Sequence, residues 1–278
     1  MNQKATSGLA TDRHRRLFRK QLILPTEHGS WSWLLVPYCV GVLVAGTWNL
    51  AALLVLVGGL AGFLIRQPAS VAMRVRAGRG RKSDGPLALT WTIFLGSVAL
   101  LCLVGLLALG RNDLFWLLIP MAVIFVFYLL ASRQRWASIR SLWMEVAGAA
   151  GLAAMAPAAY VAATALLDET AWALWALMAG QNVLGVLYVR LRIGDTHQRP
   201  RDVRPVLWGH GLVFVGVAAV AFAGIVPWLA FVPFIGLTAR AIWAALEARP
   251  VPHIKRFGFT EIGVEIMGGL LIAAGWLI

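Results

Sequence analysis

The sequence predicts an all-α fold, a polytopic membrane helix bundle of about nine transmembrane helices. Of the 278 residues, 60% are hydrophobic and 13% are charged, which is too little charge to cover the surface of a soluble domain of this length. The mean hydropathy is +0.76, and the apolar residues gather in runs of the roughly 20 residues that a membrane-spanning helix needs.

Taken in order, the apolar runs divide the chain into a basic N-terminal tail over residues 1–26 and a single transmembrane helical domain over residues 27–278. Short polar connections follow the odd-numbered spans, and longer basic connections follow the even-numbered spans. Pro227 separates the seventh span from the eighth, and Pro157 is expected to bend the fifth. The predicted spans are 29–47, 50–66, 87–109, 114–132, 142–166, 170–190, 206–225, 227–246 and 259–278.

The positive charge follows this division of the chain. Of the 25 Lys and Arg residues, only Arg111 falls on the side of the short connections. The positive-inside rule therefore predicts a cytoplasmic N-terminus and an external C-terminus. Membrane topology also accounts for the net charge of +13, so the sequence does not predict nucleic acid as a partner.

A short motif recurs at the predicted cytoplasmic starts of three odd spans. The starts are Glu27-His28-Gly29, Glu145 with Gly148, and Glu261-Ile262-Gly263, which lie 118 and 116 residues apart. Four helices return a chain to its starting side of the membrane. The pattern therefore predicts two parallel four-helix repeats followed by a final helix.

Ionisable residues near the predicted cytoplasmic ends of the spans form the candidate site. Such residues are costly inside a membrane and commonly serve a function there. Glu261 and Glu265 are four residues apart, so they share one helix face. The candidate catalytic residues are Glu27, His28, Glu145, Glu261 and Glu265, and the candidate substrate-binding residues are Arg66, Asn182, Arg190 and Arg192.

Arginine suits an anionic head group such as phosphate or diphosphate, because its guanidinium binds planar oxygen pairs. The predicted 66–82 loop, which carries Arg74 and Arg76, would add positive charge over the same face. Each residue also has a structural interpretation. Glu at a helix N-terminus is favoured by the helix dipole, and Arg at a cytoplasmic helix end anchors topology.

The segment from Leu24 to Trp31, which reads LPTEHGSW and is followed by Pro37, resembles the opening of the YwiC-like family of bacterial membrane proteins. Weaker similarities are Arg66-Gln67-Pro68, Glu145 with Gly148, and the segment 188–192. The resemblance covers nearly the whole chain and implies a multi-pass protein of the bacterial cytoplasmic membrane. The family has no established function.

The helix number, the repeat of four and the site at the ends of spans two and six are also distantly similar to UbiA-type intramembrane prenyltransferases. In that superfamily two Asp-rich motifs at these positions hold magnesium, which binds a prenyl diphosphate. The matching segments here are Arg66-Gln67-Pro68 and 190–195, where only Asp195 is acidic. The enzyme that the resemblance implies is a divergent prenyltransferase without the Asp-rich metal motifs, and the candidate cofactor is magnesium. The resemblance leaves both assignments open.

Three classes of function fit these observations. The first is a divergent UbiA-like enzyme, or a binder of a prenyl or other lipid with an anionic head group. The second is a small membrane transporter or lipid carrier, and the third is a non-catalytic accessory protein of a membrane complex such as a respiratory one. An apolar cavity open sideways to lipid favours the first, whereas a polar path to the outer side favours the second.

Overall fold

The computed structural model describes residues 28–133 and 141–278, and within these ranges the chain forms nine helical rods. One rod consists of two short helices stacked end to end, and short 3₁₀ helices precede the first, third and eighth rods. The predicted all-α membrane bundle is confirmed. The helices are α1 (Ser32–Ala45), α2 (Leu50–Arg76), α3 (Gly85–Ala108), α4 (Leu114–Arg133), α5 (Leu142–Leu152), α6 (Met155–Thr164), α7 (Glu169–Thr196), α8 (Arg204–Phe222), α9 (Val232–Leu246) and α10 (Ile254–Leu277).

Length and composition make this protein a multi-pass membrane protein. In the described part of the chain, seven helical rods are long and apolar enough to cross a bilayer. The other two apolar helices, Gly29–Ala45 and Leu114–Leu130, are shorter. One end of the bundle, which we call the short-loop end, carries the connections at 46–49, 109–113, 165–168 and 223–227. We call the opposite end the basic-loop end.

Three helices extend beyond the predicted spans at the basic-loop end. α2 continues from 66 to Arg76, α7 continues from 190 to Thr196, and α10 begins at Ile254 instead of 259. Arg74 and Arg76, predicted on a loop, therefore lie on the last turn of α2. Hydropathy reports where a segment leaves lipid. The helices continue past that point, in α2 even through Pro68, so the two predicted ends were too early and the predicted start of α10 was too late.

The fifth span is broken in the middle, one turn before Pro157. α5 ends at Leu152 and α6 begins at Met155, because proline has no N–H to donate to the carbonyl of Ala153. At the break the Ala154 N–H donates to Gly151 O at 3.0 Å, which removes the helical donor from Ala150 O. Trp175 Nε1 on α7 donates to that carbonyl at 3.1 Å. The predicted bend is therefore a break whose exposed carbonyl is satisfied by a neighbouring helix, as the interior of a membrane requires.

A second proline explains the position of Asn182. Pro37 in α1 cannot donate to the carbonyl of Trp33, one helical turn earlier. Asn182 Nδ2 on α7 donates to that carbonyl at 3.0 Å and also to Ala149 O on α5 at 3.1 Å. One amide therefore joins three helices at the centre of the bundle.

The core lies where α1, α6, α7 and α10 meet. α1 packs closely on α6 because Gly41 has no side chain: a Cβ at this position would overlap the carbonyl oxygen of Ala156. Small residues bring helix backbones together in this way in membranes. α7 is the most extensively buried helix and contacts α5, α6, α8 and α10, so it positions the polar residues of the site.

Candidate functional site

A cavity of about 1340 Å³ runs along the bundle between α2, α4, α5, α7 and α10. Its lining is apolar over most of its length, including the closely spaced Gly58, Gly59 and Gly62 of α2. At the short-loop end it reaches three buried leucines, Leu106, Leu114 and Leu117. The charged side chains lie toward the basic-loop end, namely Arg66, Glu145, Arg190, Arg199, Arg240, Glu261 and Glu265.

Glu145 and Arg190, both predicted site residues, form an ion pair across the cavity wall. Arg190 Nη1 on α7 donates to Glu145 Oε2 on α5 at 2.7 Å. The Arg190 side chain remains 45% exposed, and the Glu145 side chain remains 33% exposed. Ion pairs this open contribute only about 0.2–1 kcal/mol to stability, so an anion entering the cavity can compete for the guanidinium.

A second ion pair involves a residue that was not predicted as part of the site. Arg240 Nη1 on α9 donates to both carboxylate oxygens of Glu261, at 2.8 and 3.0 Å. These side chains are only 19% and 15% exposed, and the Arg240 guanidinium lies 4.2 Å from the ring centre of Tyr188. The signal for Arg240 is an arginine inside a predicted span, six residues before its end, a position that the positive-inside rule explains without a site.

Glu265 lies one helical turn deeper than Glu261, and both line the cavity as their spacing predicted. The Glu265 side chain is 5% exposed, and its Oε1 has no hydrogen-bond partner among the described residues. Beside it, Gln181 Nε2 donates to the backbone oxygen of Glu265 at 2.8 Å. Gln181 fits there because Gly268 leaves room: a Cβ at this glycine would overlap Gln181 Oε1.

Arg66 enters the cavity from α2. Its guanidinium lies 5.5 Å from the ring centre of Phe63 and 5.4 Å from that of Tyr128 on α4. Stacking on two aromatic rings stabilises a cation away from water. Arg66 and Arg190 thus bring positive charge to the cavity from two helices.

Two predicted substrate-binding residues do not line this cavity. Asn182 is fully buried and holds α1 and α5 through the bonds described above. Arg192 donates to Tyr188 Oη at 2.7 Å and to Arg249 O at 2.9 Å. Aromatic rings of Tyr188, Trp243 and Phe257 surround the guanidinium of Arg192. These contacts give both residues a structural role.

Two predicted catalytic residues cannot be placed. Glu27 lies outside the described residues, and His28 is described only as the first residue of the 3₁₀ helix His28–Trp31. Gly29, the last residue of the EHG motif, and Ser30 line the cavity.

Asp195, the one acidic residue in the segments compared with the Asp-rich motifs, makes structural contacts. Asp195 accepts a hydrogen bond from Arg201 Nε at 3.2 Å and another from the backbone N–H of Arg249 at 3.0 Å. It therefore fastens the connections that follow α7 and α9. Within residues 28–133 and 141–278, no three His, Cys, Asp or Glu side chains lie close enough together to hold a metal ion. The charged groups on the cavity wall are instead arginines and isolated glutamates.

The cavity is open sideways between α3 and α4. Both helices pack on α2 but hardly touch each other. Leu100 of α3 and Ile119 of α4 line the cavity and are nevertheless 59% and 56% exposed, so they form a mouth that faces the bilayer.

Comparisons with known proteins agree with the family predicted from the EHG motif. The model of the YwiC-like protein family matches residues 24–160, from the motif to α6. The chain is also 25% identical over 242 residues to "Uncharacterized protein YwiC" from Bacillus subtilis (strain 168), covering 86% of this chain and 92% of that protein. No solved structure matches the chain. Together these matches show that the chain is similar to the YwiC-like family, in the family model over residues 24–160 and in the relative over 242 residues.

Proposed function

We propose that this protein binds a membrane amphiphile that has an anionic head group, such as a prenyl diphosphate or another anionic lipid. The observation that carries the proposal is the division of one cavity into a charged part and an apolar part. Arg66 and Arg190 would hold the head near the basic-loop end, and the apolar length between α2, α4 and α5 would hold the tail.

The charges on the wall favour an anion of modest size. Among the described lining residues, four arginines, including Arg199 in the connection after α7, face three glutamates. The pair Arg240–Glu261 is enclosed, whereas Arg190–Glu145 is open. A phosphate oxygen can therefore replace the Glu145 carboxylate at Arg190 without disturbing the enclosed pair.

The similarity to UbiA-type enzymes extends this proposal to a divergent transferase. In such a reaction the carbon–oxygen bond of the prenyl diphosphate breaks, and the diphosphate leaves toward the arginines. A new bond forms between the prenyl carbon and an acceptor, whose proton passes to a carboxylate. Glu145, Glu261 and Glu265 are the candidate proton acceptors of the described wall. Magnesium, if used, would supply Lewis-acid help to the leaving group.

A transporter is supported less well. The described cavity ends at Leu106, Leu114 and Leu117, and the polar residues at the short-loop end are engaged in helix contacts. We see no polar continuation of the cavity past these leucines in the described residues.

The test is the thermal midpoint of the purified protein in mild detergent, measured with a long-chain prenyl diphosphate, with and without magnesium. A ligand that binds only the folded state raises the midpoint by mass action. We expect a rise in the wild type and in the control variant Arg111→Gln, whose arginine donates to Ala162 O at the short-loop end. We expect the rise to be lost in Arg190→Gln.

Comparing the thermal midpoints with and without magnesium distinguishes two forms of the proposal. A rise that requires magnesium supports a UbiA-like reaction, and a rise without magnesium supports an arginine-held head group. No rise in either condition, or an equal rise in Arg190→Gln, would contradict the proposal. In cells, Ala at Glu27, Glu145 or Arg190 is expected to remove function while the protein still inserts in the membrane.

A further inference from the structure

Glu265 is a buried carboxyl group on the cavity wall with an oxygen that is not used within the bundle. The residue is 5% exposed and lines the cavity, and its Oε1 has no hydrogen-bond partner among the described residues. The Arg240 guanidinium on the same wall is already bonded to both carboxylate oxygens of Glu261. A buried polar atom without a partner is destabilising, so its retention here indicates that a polar group of a ligand meets it.

Contacts of α7 fix the depth of Glu265 relative to the open ion pair. Gln181 Nε2 donates to Glu265 O at 2.8 Å. The next residue, Asn182, donates to Ala149 O at 3.1 Å, so the backbones of Glu265 and Ala149 are nearly level across the bundle. Glu145 precedes Ala149 by four residues on α5, which is about 6 Å of helix rise toward the basic-loop end. Because α5 and α10 both begin at that end, the two glutamate side chains lean the same way and keep this separation.

The space between these two levels is open. Gly148 of α5 lies between them and lines the cavity, and a Cβ at this position would meet no atom within 4 Å. Close helix packing, the common reason for a small residue in a membrane bundle, therefore does not explain this glycine. A phosphate that replaces Glu145 at Arg190 thus has open space beside it in the direction of Glu265 and of the apolar part of the cavity.

The group that meets Glu265 belongs to the part of an amphiphile just below its phosphate. A hydroxyl fits, because it both donates and accepts, and so it can bond a carboxyl group with or without its proton. From an outer phosphate oxygen to the second carbon of the chain there are four bonds, each advancing roughly 1.3 Å when the chain is extended. This reach is close to the separation of the two levels. A plain alkyl or prenyl chain offers only C–H groups at that depth.

We propose that the cavity selects phosphate amphiphiles with a hydroxyl on the second carbon between the phosphate and the tail, as in lysophosphatidic acid, and that Glu265 binds this hydroxyl. The inference rests on the proposed binding of an anionic amphiphile and deepens it by naming the linker. Arg190 holds the phosphate, Glu265 bonds the hydroxyl, and the apolar part of the cavity holds the tail. Neither magnesium nor a transferase reaction is required.

The test compares two probes that differ by one hydroxyl, hexadecyl phosphate and 2-hydroxyhexadecyl phosphate. Binding is measured by native mass spectrometry of the full chain released from phosphatidylcholine nanodiscs. Glu265→Leu removes both carboxylate oxygens at similar size, whereas Glu265→Gln keeps an oxygen and an N–H that can bond the hydroxyl. The matched control is Glu169→Leu, at the exposed start of α7 and outside the cavity lining.

We expect the wild type and Glu169→Leu to bind the hydroxylated probe about tenfold more tightly than hexadecyl phosphate. This preference should be lost in Glu265→Leu and kept at least in part in Glu265→Gln. Equal binding of the two probes to the wild type, or an undiminished preference in Glu265→Leu, would overturn the inference while leaving the head-group site in place. Failure of both probes to bind the wild type would overturn the proposed function itself.

A third probe keeps the test decisive if Glu265→Leu does not fold. In 5-hydroxyhexadecyl phosphate the hydroxyl lies three carbons deeper, past Glu265 when the phosphate is held at Arg190. We expect the wild type to bind this probe no more tightly than hexadecyl phosphate. A gain equal to that of the 2-hydroxy probe would show that the cavity favours a hydroxyl at any depth, and it would overturn the assignment to Glu265.

Discussion

The two ends of the bundle use polar residues in opposite ways. At the short-loop end, each polar side chain that we discuss satisfies a helix end or joins two helices: Asn49 caps α2 and donates to Ala163 O, and Asp168 caps α7 and accepts from Tyr160 Oη. Toward the basic-loop end, charged side chains from several helices surround a cavity.

The distribution of unsatisfied atoms follows the same division. Among the described residues, the buried side-chain atoms without a hydrogen-bond partner lie in the middle of the bundle or toward the basic-loop end. They belong to Gln181, Asn182, His210, Thr238, Arg240, Arg249 and Glu265. An unsatisfied buried polar atom destabilises a fold, so its retention in the middle and toward one end of the bundle is typical of a site that meets a ligand or water. The short-loop end stabilises the bundle, and we propose that the cavity toward the other end holds the ligand.

The largest effect is expected from a residue that lies between the two ends. Asn182→Leu leaves the Trp33 carbonyl, already without a helical donor because of Pro37, unsatisfied in the core. We expect the free energy of unfolding to fall by about 3 kcal/mol. The matched change Asn49→Ala, at the water-accessible end, should cost only about 1 kcal/mol, because water can replace its contacts. Unfolding in a denaturing detergent measures the free energy of both variants. Equal losses would contradict the expectation that a buried carbonyl costs more than one that water can reach.

A pair of glycines on α10 tests the packing beneath the site. Gly268→Ala would push Gln181 away from Glu265, so we expect a loss of about 2 kcal/mol in unfolding free energy. Gly263→Ala, on the same helix with no atom within 4 Å of the new Cβ, should cost nothing. A thermal midpoint unchanged in both variants would show that Gln181 moves aside freely.

Glu145→Gln tests the exposed ion pair. Removing the carboxylate that competes for Arg190 should tighten the binding of hexadecyl phosphate severalfold, up to about tenfold, because a charge-assisted partner becomes available to the anion. If Glu145 also accepts the proton of an acceptor, turnover falls while affinity rises. Weaker binding of the phosphate would mean that Glu145 itself contacts the ligand, contrary to the proposed arrangement.

The smallest effect is expected at the short-loop end. Tyr160→Phe removes one hydrogen bond, 3.0 Å long, to Asp168, which still caps α7. The expected loss is about 1 kcal/mol of unfolding free energy, with phosphate binding unchanged. A change in ligand affinity from this substitution would contradict the assignment of helix packing to the short-loop end and of ligand binding to the other end.

The sequence predicted the site unevenly. Glu145, Arg190, Glu261 and Arg66 could be found because a charge within or beside an apolar run is visible without knowing its neighbours. Asn182, a polar residue within an apolar run, and Arg192, a charge beside one, attract the same interpretation. Their partners, a carbonyl freed by Pro37 and a cage of aromatic rings, depend on which helices touch. Arg240 was missed for the reverse reason, since its partner Glu261 lies 21 residues away on another helix.

By itself, the sequence determined the number of helical rods in the described residues and their assignment to the membrane, because lipid selects long apolar segments one at a time. The cytoplasmic position of the basic-loop end and the two four-helix repeats stay predictions from the same pattern. Only the tertiary structure decided where the helices end, where the fifth rod breaks and which charges share a cavity. These features arise from contacts between helices, and hydropathy contains no information on which helix lies next to another.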